Sequence, residues 1–531
     1  MEAVPAGGPW TAVAPVVRRV TPVGVIIACT AAVAAALRFY QLARPGYLFG
    51  VTQYDDGVYF GSAVRFVHGA LPYRDFVSVQ PPGIIWLMTP VALATKAMGT
   101  AWGLAVARVL TVCADTASVV LVGLLVRHRG ILAVTAACGI LAVYPETVGA
   151  SSTLMLEPWL NLFCLISALA AFDGEMLAGR KRLLWAGVAV GFAGTIKIWA
   201  IAPALVLVAL CATQRRKAPP FLAGAAAGFL IPVLPLALLA PTTFFNGVFV
   251  AQFSRAGIVR VSAWTRLEAM AGLTNIGGAN HGVAALVLFV IVALVGITCA
   301  RASIIAGRPP PALELFALAT TVLVALMLLL PAQYFHHYTS FLGPFLAISI
   351  ALPPARLATA RWAAVGAAIA AAIVCAMALV QFRAEAALHR PPRFFTASSI
   401  REVPRGACVL TDMVSMTISA NRFVSNVPGC PLIVDTTGTD YTLSGGRNGW
   451  TGAAASPAVR QVWQDAFAHA QYIWLSGKNR KWIPWTHSLV VYFDSHFVRM
   501  RNRVITAPTR LFVRKELAPP PSGAVAPPRA P

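Results

Sequence analysis

The chain is poor in charge, and in negative charge above all: of 531 residues only 11% are Asp, Glu, Lys or Arg, and 19 acids stand against 42 Lys and Arg. Soluble domains carry about a quarter charged residues, so a water-soluble fold is excluded for most of the chain. With 58% hydrophobic residues and a mean hydropathy of +0.71, most of it must have lipid as its solvent. Nor does it have the cysteines of a disulfide scaffold. Of its nine, seven fall in apolar runs, where a small buried thiol is the ordinary reading. The sequence shows no internal repeat of the kind seen in transporters built from inverted halves. The formal net charge of +23 would suggest nucleic acid in a soluble protein. Here many of the cations sit in short loops between apolar runs, where they report orientation. The others decorate the C-terminal third, where anionic lipid phosphates are the expected partners and nucleic acid is not.

The loops set a topology. Arg18 and Arg19 precede an apolar segment near 22–40, which places residues 1–20 in the cytoplasm as the tail of a signal anchor. Arg127-His128-Arg129, Arg180-Lys181-Arg182, Arg215-Arg216-Lys217, Arg301 to Arg308 and Arg356 to Arg361 mark five inside loops. The run 183–213 is bounded by basic clusters at both ends, so a single span there would conflict with them. Two short helices turning near Lys197 resolve the conflict. The expectation is a polytopic α-helical protein of the cell (inner) membrane, with about eleven membrane helices over 21–382 and a first outer loop at 41–101. A further outer loop falls near 241–281. A single long helix at 183–213 would give ten and move the C-terminus to the cytoplasm.

After Gln381 the character changes. Residues 383–517 mix strand-like runs at 408–411, 432–434, 472–475, 489–493 and 510–513 with helical stretches near 412–420 and 457–469, the pattern of a small extracytoplasmic α/β domain. The tail 518–531 is Pro- and Ala-rich and reads as disordered. Cys408 and Cys430 each open or precede a predicted strand, so neighbouring parallel strands would allow a disulfide in an oxidising compartment.

Against so few carboxylates, the pair in Tyr54-Asp55-Asp56-Gly57, just beyond the first apolar segment, needs a chemical reason. Acids beside lipid are costly unless they face a water-filled cavity or a cation. One can serve as a general base while its neighbour orients or binds; the plainer alternative is an N-cap on the helix that follows. Gly69-Ala70-Leu71-Pro72-Tyr73 and Gln80-Pro81-Pro82-Gly83 complete the loop. Lys197 is either functional or a snorkelling interfacial lysine. Glu157 either caps a helix or lines a cavity, for acceptor or metal. His336-His337-Tyr338 either meets an anion or anchors the interface.

This first loop resembles that of the GT-C superfamily, and most of all polyprenyl-phosphate-dependent transferases related to protein O-mannosyltransferases and the lipid A aminoarabinose transferase. The resemblance implies an inverting transferase that takes a sugar from a polyprenyl-phosphate donor, with Asp55 as the base. The acceptor would be an envelope glycan, lipid or protein. The family's usual second acid is Glu; Asp56 here resembles envelope arabinosyltransferases, leaving arabinofuranose, mannose or a related sugar open. Relatives often carry Lys before the double proline, where this chain has Gln80, so Arg74, Lys197, His336, His337 and Tyr338 become the candidates for donor phosphate. Gln80, Pro81 and Pro82 would shape the loop. No cofactor is demanded, although Asp55, Asp56 and Glu157 would hold a divalent cation if they converged. In the C-terminal domain, Asn421-Arg422 and Asp435-Thr436-Thr437-Gly438 resemble outer domains that guide a glycan acceptor, with a packing scaffold as the plainer reading. A lipid-linked sugar flippase, or a non-catalytic partner of an envelope synthase, is the competing function. Transporters place ionisable groups near the midplane on broken helices.

Overall fold

In the computed structural model the described residues are 21–254, 261–276, 280–331, 333–387, 400, 402–444, 453–476, 482–500 and 509–518. Residues 1–20, expected to be cytoplasmic, and all but the first residue of the Pro- and Ala-rich tail lie outside them. Each predicted apolar run is helical. In chain order α1 is Pro22–Ala43, α2 Asp55–Val67, α3 Gly83–Met98, α4 Thr100–Val126, α5 Gly130–Val143, α6 Pro145–Ala150 and α7 Leu156–Ala171. Then come α8 Arg180–Ile196, α9 Ile201–Ala212, α10 Ala218–Leu239, α11 Pro241–Phe245, α12 Ala251–Ser254 and α13 Ala263–Met270. The last long helices are α14 His281–Ala306, α15 Ala312–Leu329, α16 Gly343–Leu357 and α17 Ala360–Ala387.

Among the described residues, seven helical segments are long and apolar enough to cross a membrane, and three shorter apolar helices accompany them. One of the seven, Thr100–Val143, is α4 and α5 in series. As one helix it would run about 66 Å at 1.5 Å per residue, twice the hydrocarbon thickness. The basic turn Arg127–Arg129 divides it, and α4 and α5 pack side by side. The expected break at Lys197 is present: α8 stops at Ile196, Lys197 is extended, and a 3-10 turn over Ile198–Ala200 leads into α9. The sequence reading left α3 inside the first outer loop; it is a 16-residue apolar helix.

Helix α8 crosses α10 at backbone distance because both carry small residues four apart. A Cβ on Gly187 or Gly191 would lie 2.1 or 2.2 Å from the carbonyls of Phe221 and Ala225, and Gly224 and Gly228 face α8 in the same way. Dispersion between close backbones is what holds such helices together in lipid. Several of the buried charges are paired with one another. Arg38 of α1 meets Asp115 of α4 at 2.5 Å and donates to the Ala142 carbonyl of α5 at 2.9 Å, tying three helices together.

The C-terminal domain is a four-stranded sheet of β3 (Val409–Thr411), β4 (Tyr472–Leu475), β5 (Phe497–Arg499) and β6 (Arg510–Arg514), after a two-stranded β1–β2 ribbon at 172–177. The order is β3-β4-β6-β5, with β3 parallel to β4 and the other pairs antiparallel. Its helices are α18 (Val414–Ser419), α19 (Thr436–Leu443), α20 (Pro457–His469) and α21 (His487–His496).

Two predicted strands are corrected. Residues 489–493 belong to α21, because Thr486 accepts from the Leu489 N–H to open a helix and Leu489 and Phe493, four apart, form its buried stripe. Residues 432–434 have no strand partner and run irregularly toward Asp435, whose carboxylate caps α19. Cys408 and Cys430 are bridged, with Cα atoms 5.5 Å apart. The strand pairing expected to bring them together is absent, since β3 pairs with β4 instead.

Candidate active site

A cavity of about 690 Å³ opens between the start of α2, the loop after α6, the Lys197 turn, the segment before α16 and the C-terminal domain. Asp55, Gln80, Lys197, His336, His337 and Tyr338 all line it.

Asp55 and Asp56 open α2, where the helix dipole favours a carboxylate. Successive residues on a helix point about 100° apart, and here that separates the pair. Asp55 is half-buried and faces the cavity. Asp56 is fully buried and faces away. Its Oδ2 receives Arg108 at 2.6 Å and the Thr153 hydroxyl at 2.6 Å, and its Oδ1 receives the Ser415 hydroxyl at 2.8 Å. Grouped with Asp55 as a candidate catalytic residue, Asp56 has its oxygens consumed in holding the loop, which is the orienting role expected for one acid of the pair.

Two residues of the C-terminal domain grip the same turn. Ser415 donates to Asp56 and lies 2.8 Å from the Gln53 carbonyl, while the Tyr54 hydroxyl donates to Asp435 at 2.8 Å. Burial, followed by the Asp435 charge, pushes the Tyr54 phenol well above its ordinary value, so it stays protonated as a donor. Gly57 is the only residue type that fits beneath Ser415, since a Cβ there would lie 2.4 Å from the Ser415 backbone nitrogen.

Gln80-Pro81-Pro82 leads directly into α3, and Gly83 explains its position. A Cβ on Gly83 would lie 2.7 Å from the Thr195 carbonyl, so the Pro-Pro-Gly turn seats against the last turn of α8 and brings Gln80 beside Lys197. The Gln80 carbonyl accepts from the Tyr73 hydroxyl at 2.7 Å, fixing the loop from its other side. Lys197 is held by Glu157 at 2.6 Å and lies over the rings of Trp199 (3.8 Å) and Tyr338 (3.9 Å). The ion pair and the two ring faces hold the ammonium in place.

Two further site expectations are corrected. Glu157 is buried behind Lys197 and does not reach the cavity surface, so Asp55, Asp56 and Glu157 do not converge. Among the described residues no three His, Cys, Asp or Glu side chains group as metal ligands. Arg74 is exposed, forms a two-bond pair with Asp75, and lines a separate cavity with Asp465 and His469. It stands apart from Lys197 because Tyr73 turns inward in a left-handed conformation and Arg74 is left on the outer side.

Sequence reasoning missed several members of the site. Glu146 lines the cavity, and burial pushes its carboxyl up to about 7 against the Thr274 hydrogen bond. Arg108, fully buried in an apolar helix, was detectable as an intramembrane charge. Ser415 had no local signal, because its partner lies more than 350 residues away, and Asp435 was singled out for an acceptor, whereas its partner here is the equally distant Tyr54.

No protein-family model and no curated protein matches the chain by sequence. Solved structures do match by fold. The aminoarabinose transferase ArnT from Cupriavidus metallidurans, in a crystal structure bound to undecaprenyl phosphate, aligns with TM-score 0.58 and 15% identity over 93% of this chain and 98% of its own. Its apo state gives 0.56 at 13% identity, over 93% and 98%. The chain shares the fold of these structures. The archaeal oligosaccharyltransferase AglB from Archaeoglobus fulgidus, in complex with an inhibitory peptide and a dolichol-phosphate, aligns at 0.50 with 11% identity over 94% of this chain and 75% of its own. At 93% of this chain, the likeness of fold extends into the C-terminal domain, beyond the membrane helices to which the sequence resemblance was confined.

Proposed function

We propose that this protein is an inverting membrane glycosyltransferase that moves a sugar from a polyprenyl-phosphate donor to a hydroxyl of an envelope glycan, lipid or protein, with Asp55 as general base. The observation that carries the reading is a single cavity holding a carboxylate at a helix start and, across it, a caged lysine. The solved structures of the same fold with undecaprenyl phosphate or dolichol-phosphate support the donor class.

In this reading Asp55 takes the proton from the acceptor hydroxyl as its oxygen bonds to the anomeric carbon. The bond from that carbon to the donor phosphate breaks, and the phosphate leaves with the electron pair. Lys197 meets the developing charge, with His336, His337 and Tyr338 as further contacts, and Glu146 faces the sugar hydroxyls. The sugar is arabinofuranose, mannose or a relative. The same proposal places eleven helices across the inner membrane, with residues 383–517 as an extracytoplasmic domain.

The test is Asp55→Asn in nanodiscs supplied with polyprenyl-phosphate sugars and envelope acceptors. Loss of the general base lowers transfer by about 10² to 10⁴-fold, with membrane insertion and melting temperature unchanged. Full activity in this variant, or movement of lipid-linked sugar across vesicles without transfer, overturns the reading.

A further inference from the structure

A second polar cavity, of about 340 Å³, lies where the end of α3 meets the start of α4 and the C-terminal domain, and it shares no lining residue with the cavity that holds Asp55. Its basic lining is His68, Lys96 and Arg405, and among the described residues no carboxylate lines it. Among the described residues, none of the three forms an ion pair. Lys96 and Arg405, gathered with His68 around one cavity and without a counter-ion among the described residues, indicate a ligand that brings the negative charge.

The wall is shaped for it. Asn421 sits in a left-handed conformation (φ 55°), and its Oδ1 accepts the Ala101 N–H at 2.9 Å and the Thr100 hydroxyl at 3.3 Å. With that oxygen consumed, the Asn421 amide N–H groups are the end that can turn toward an anion, beside Asn426.

The surroundings identify the source. Leu93 and Met98 of α3 and Trp102 of α4 are 50%, 43% and 56% exposed beside the cavity, and Phe49 packs edge-on against Trp102 at 4.7 Å. Large exposed apolar side chains on membrane helices face acyl chains, and a Trp with polar neighbours marks the headgroup level. Lys96 lies between Leu93 and Met98, so the cations begin where the lipid-facing surface ends. We propose that this cavity binds the phosphate headgroup of an anionic membrane lipid. The site is distinct from the transfer cavity and stands whether or not the chain transfers sugar.

The experiment is native mass spectrometry of the full-length protein in detergent, titrated with dioctanoyl-phosphatidylglycerol. It compares wild type with Lys96→Gln/Arg405→Gln, two exposed positions whose replacement leaves the melting temperature unchanged. Each cation near an anionic headgroup contributes about 1 kcal/mol, so the double variant binds this lipid about tenfold or more weaker. A photoreactive phosphatidylglycerol should crosslink to peptides containing residues 93–102. Equal binding by wild type and variant overturns the proposal, as does phosphatidylcholine binding as tightly as phosphatidylglycerol. Displacement of the lipid by an equal concentration of inorganic phosphate also overturns it, in favour of a free-phosphate site. Crosslinks confined to other helices would do the same.

Discussion

Arg108 and Asp56 offer the most exact test of how the active loop is built. The guanidinium is fully buried and every one of its five N–H groups has a target. Nε donates to the Thr153 hydroxyl at 3.0 Å; Nη1 to the carbonyls of Tyr47 and Leu48 at 2.9 and 2.8 Å; Nη2 to Thr52 at 3.3 Å and Asp56 at 2.6 Å. Replacing Asp56 with Asn removes the counter-charge and sets an amide against a donor, leaving a buried cation uncompensated. Breaking one side of a buried pair costs about 3–5 kcal/mol. Arg108→Met strands the carboxylate instead, and the cost is of the same order. Because the penalty in each single variant is largely that of the abandoned charge, Asp56→Asn/Arg108→Met should cost less than the sum of the two. Thermal unfolding of the three variants, followed by tryptophan fluorescence, gives the cycle. Transfer activity should stay low in the double variant, since the turn that presents Asp55 has still lost its anchor. Additive single effects would refute a pair that acts as a unit, and full activity in the double variant would refute its role in placing Asp55.

Two other outcomes follow from the geometry. Lys197→Gln should weaken binding of undecaprenyl phosphate alone by about tenfold or more, as expected for loss of a charge-assisted contact. Lys197→Gln/Glu157→Gln should recover thermal stability without recovering binding; unchanged affinity would remove Lys197 from the phosphate site. In the C-terminal domain, burial pushes Asp440 up to about 8, above the ordinary carboxylate range, while Trp463 donates to it at 2.8 Å. Between about pH 4 and 8 the folded chain keeps a proton that the unfolded chain has lost, so stability falls as pH rises through that window. Asp440→Asn, which keeps the acceptor for Trp463, should flatten that slope and raise the melting temperature at pH 8, and an unchanged profile would refute the assignment.

Much of this was legible in sequence because lipid imposes a simple code. Apolar length and basic loops recovered a helix at every predicted run, including the break at Lys197. The acidic pair stood out because carboxylates are scarce. What could not be read was pairing over distance. The partner of Asp56 is 52 residues away on another helix, and nothing local announces it. Leu489-Val490-Val491-Tyr492-Phe493 reads as a strand by β-branched content, yet only Leu489 and Phe493 are buried, and that spacing belongs to a helix. Arg74 was grouped with the phosphate candidates by its place in the chain, whereas the inward turn at Tyr73 sends it to another face.

The position of Asp55 depends on both halves of the molecule. On the membrane side, Arg108 and Thr153 hold Asp56; on the other, Ser415 reaches Asp56 and the Gln53 carbonyl, and Asp435 holds Tyr54. Tyr54 is thus fixed by the C-terminal domain and Asp56 by both bodies, and Asp55 between them faces the cavity. Met413, Thr437, Tyr441 and Trp482 supply the outer wall of that cavity, so the C-terminal domain encloses the space as well as bracing the loop. A scaffold packed passively on the outer face would have no need of a serine inside the Asp56 network or of a glycine at 57 to admit it. The second acid of the pair is therefore spent on joining the two bodies, and the first lines the cavity at the seam between them.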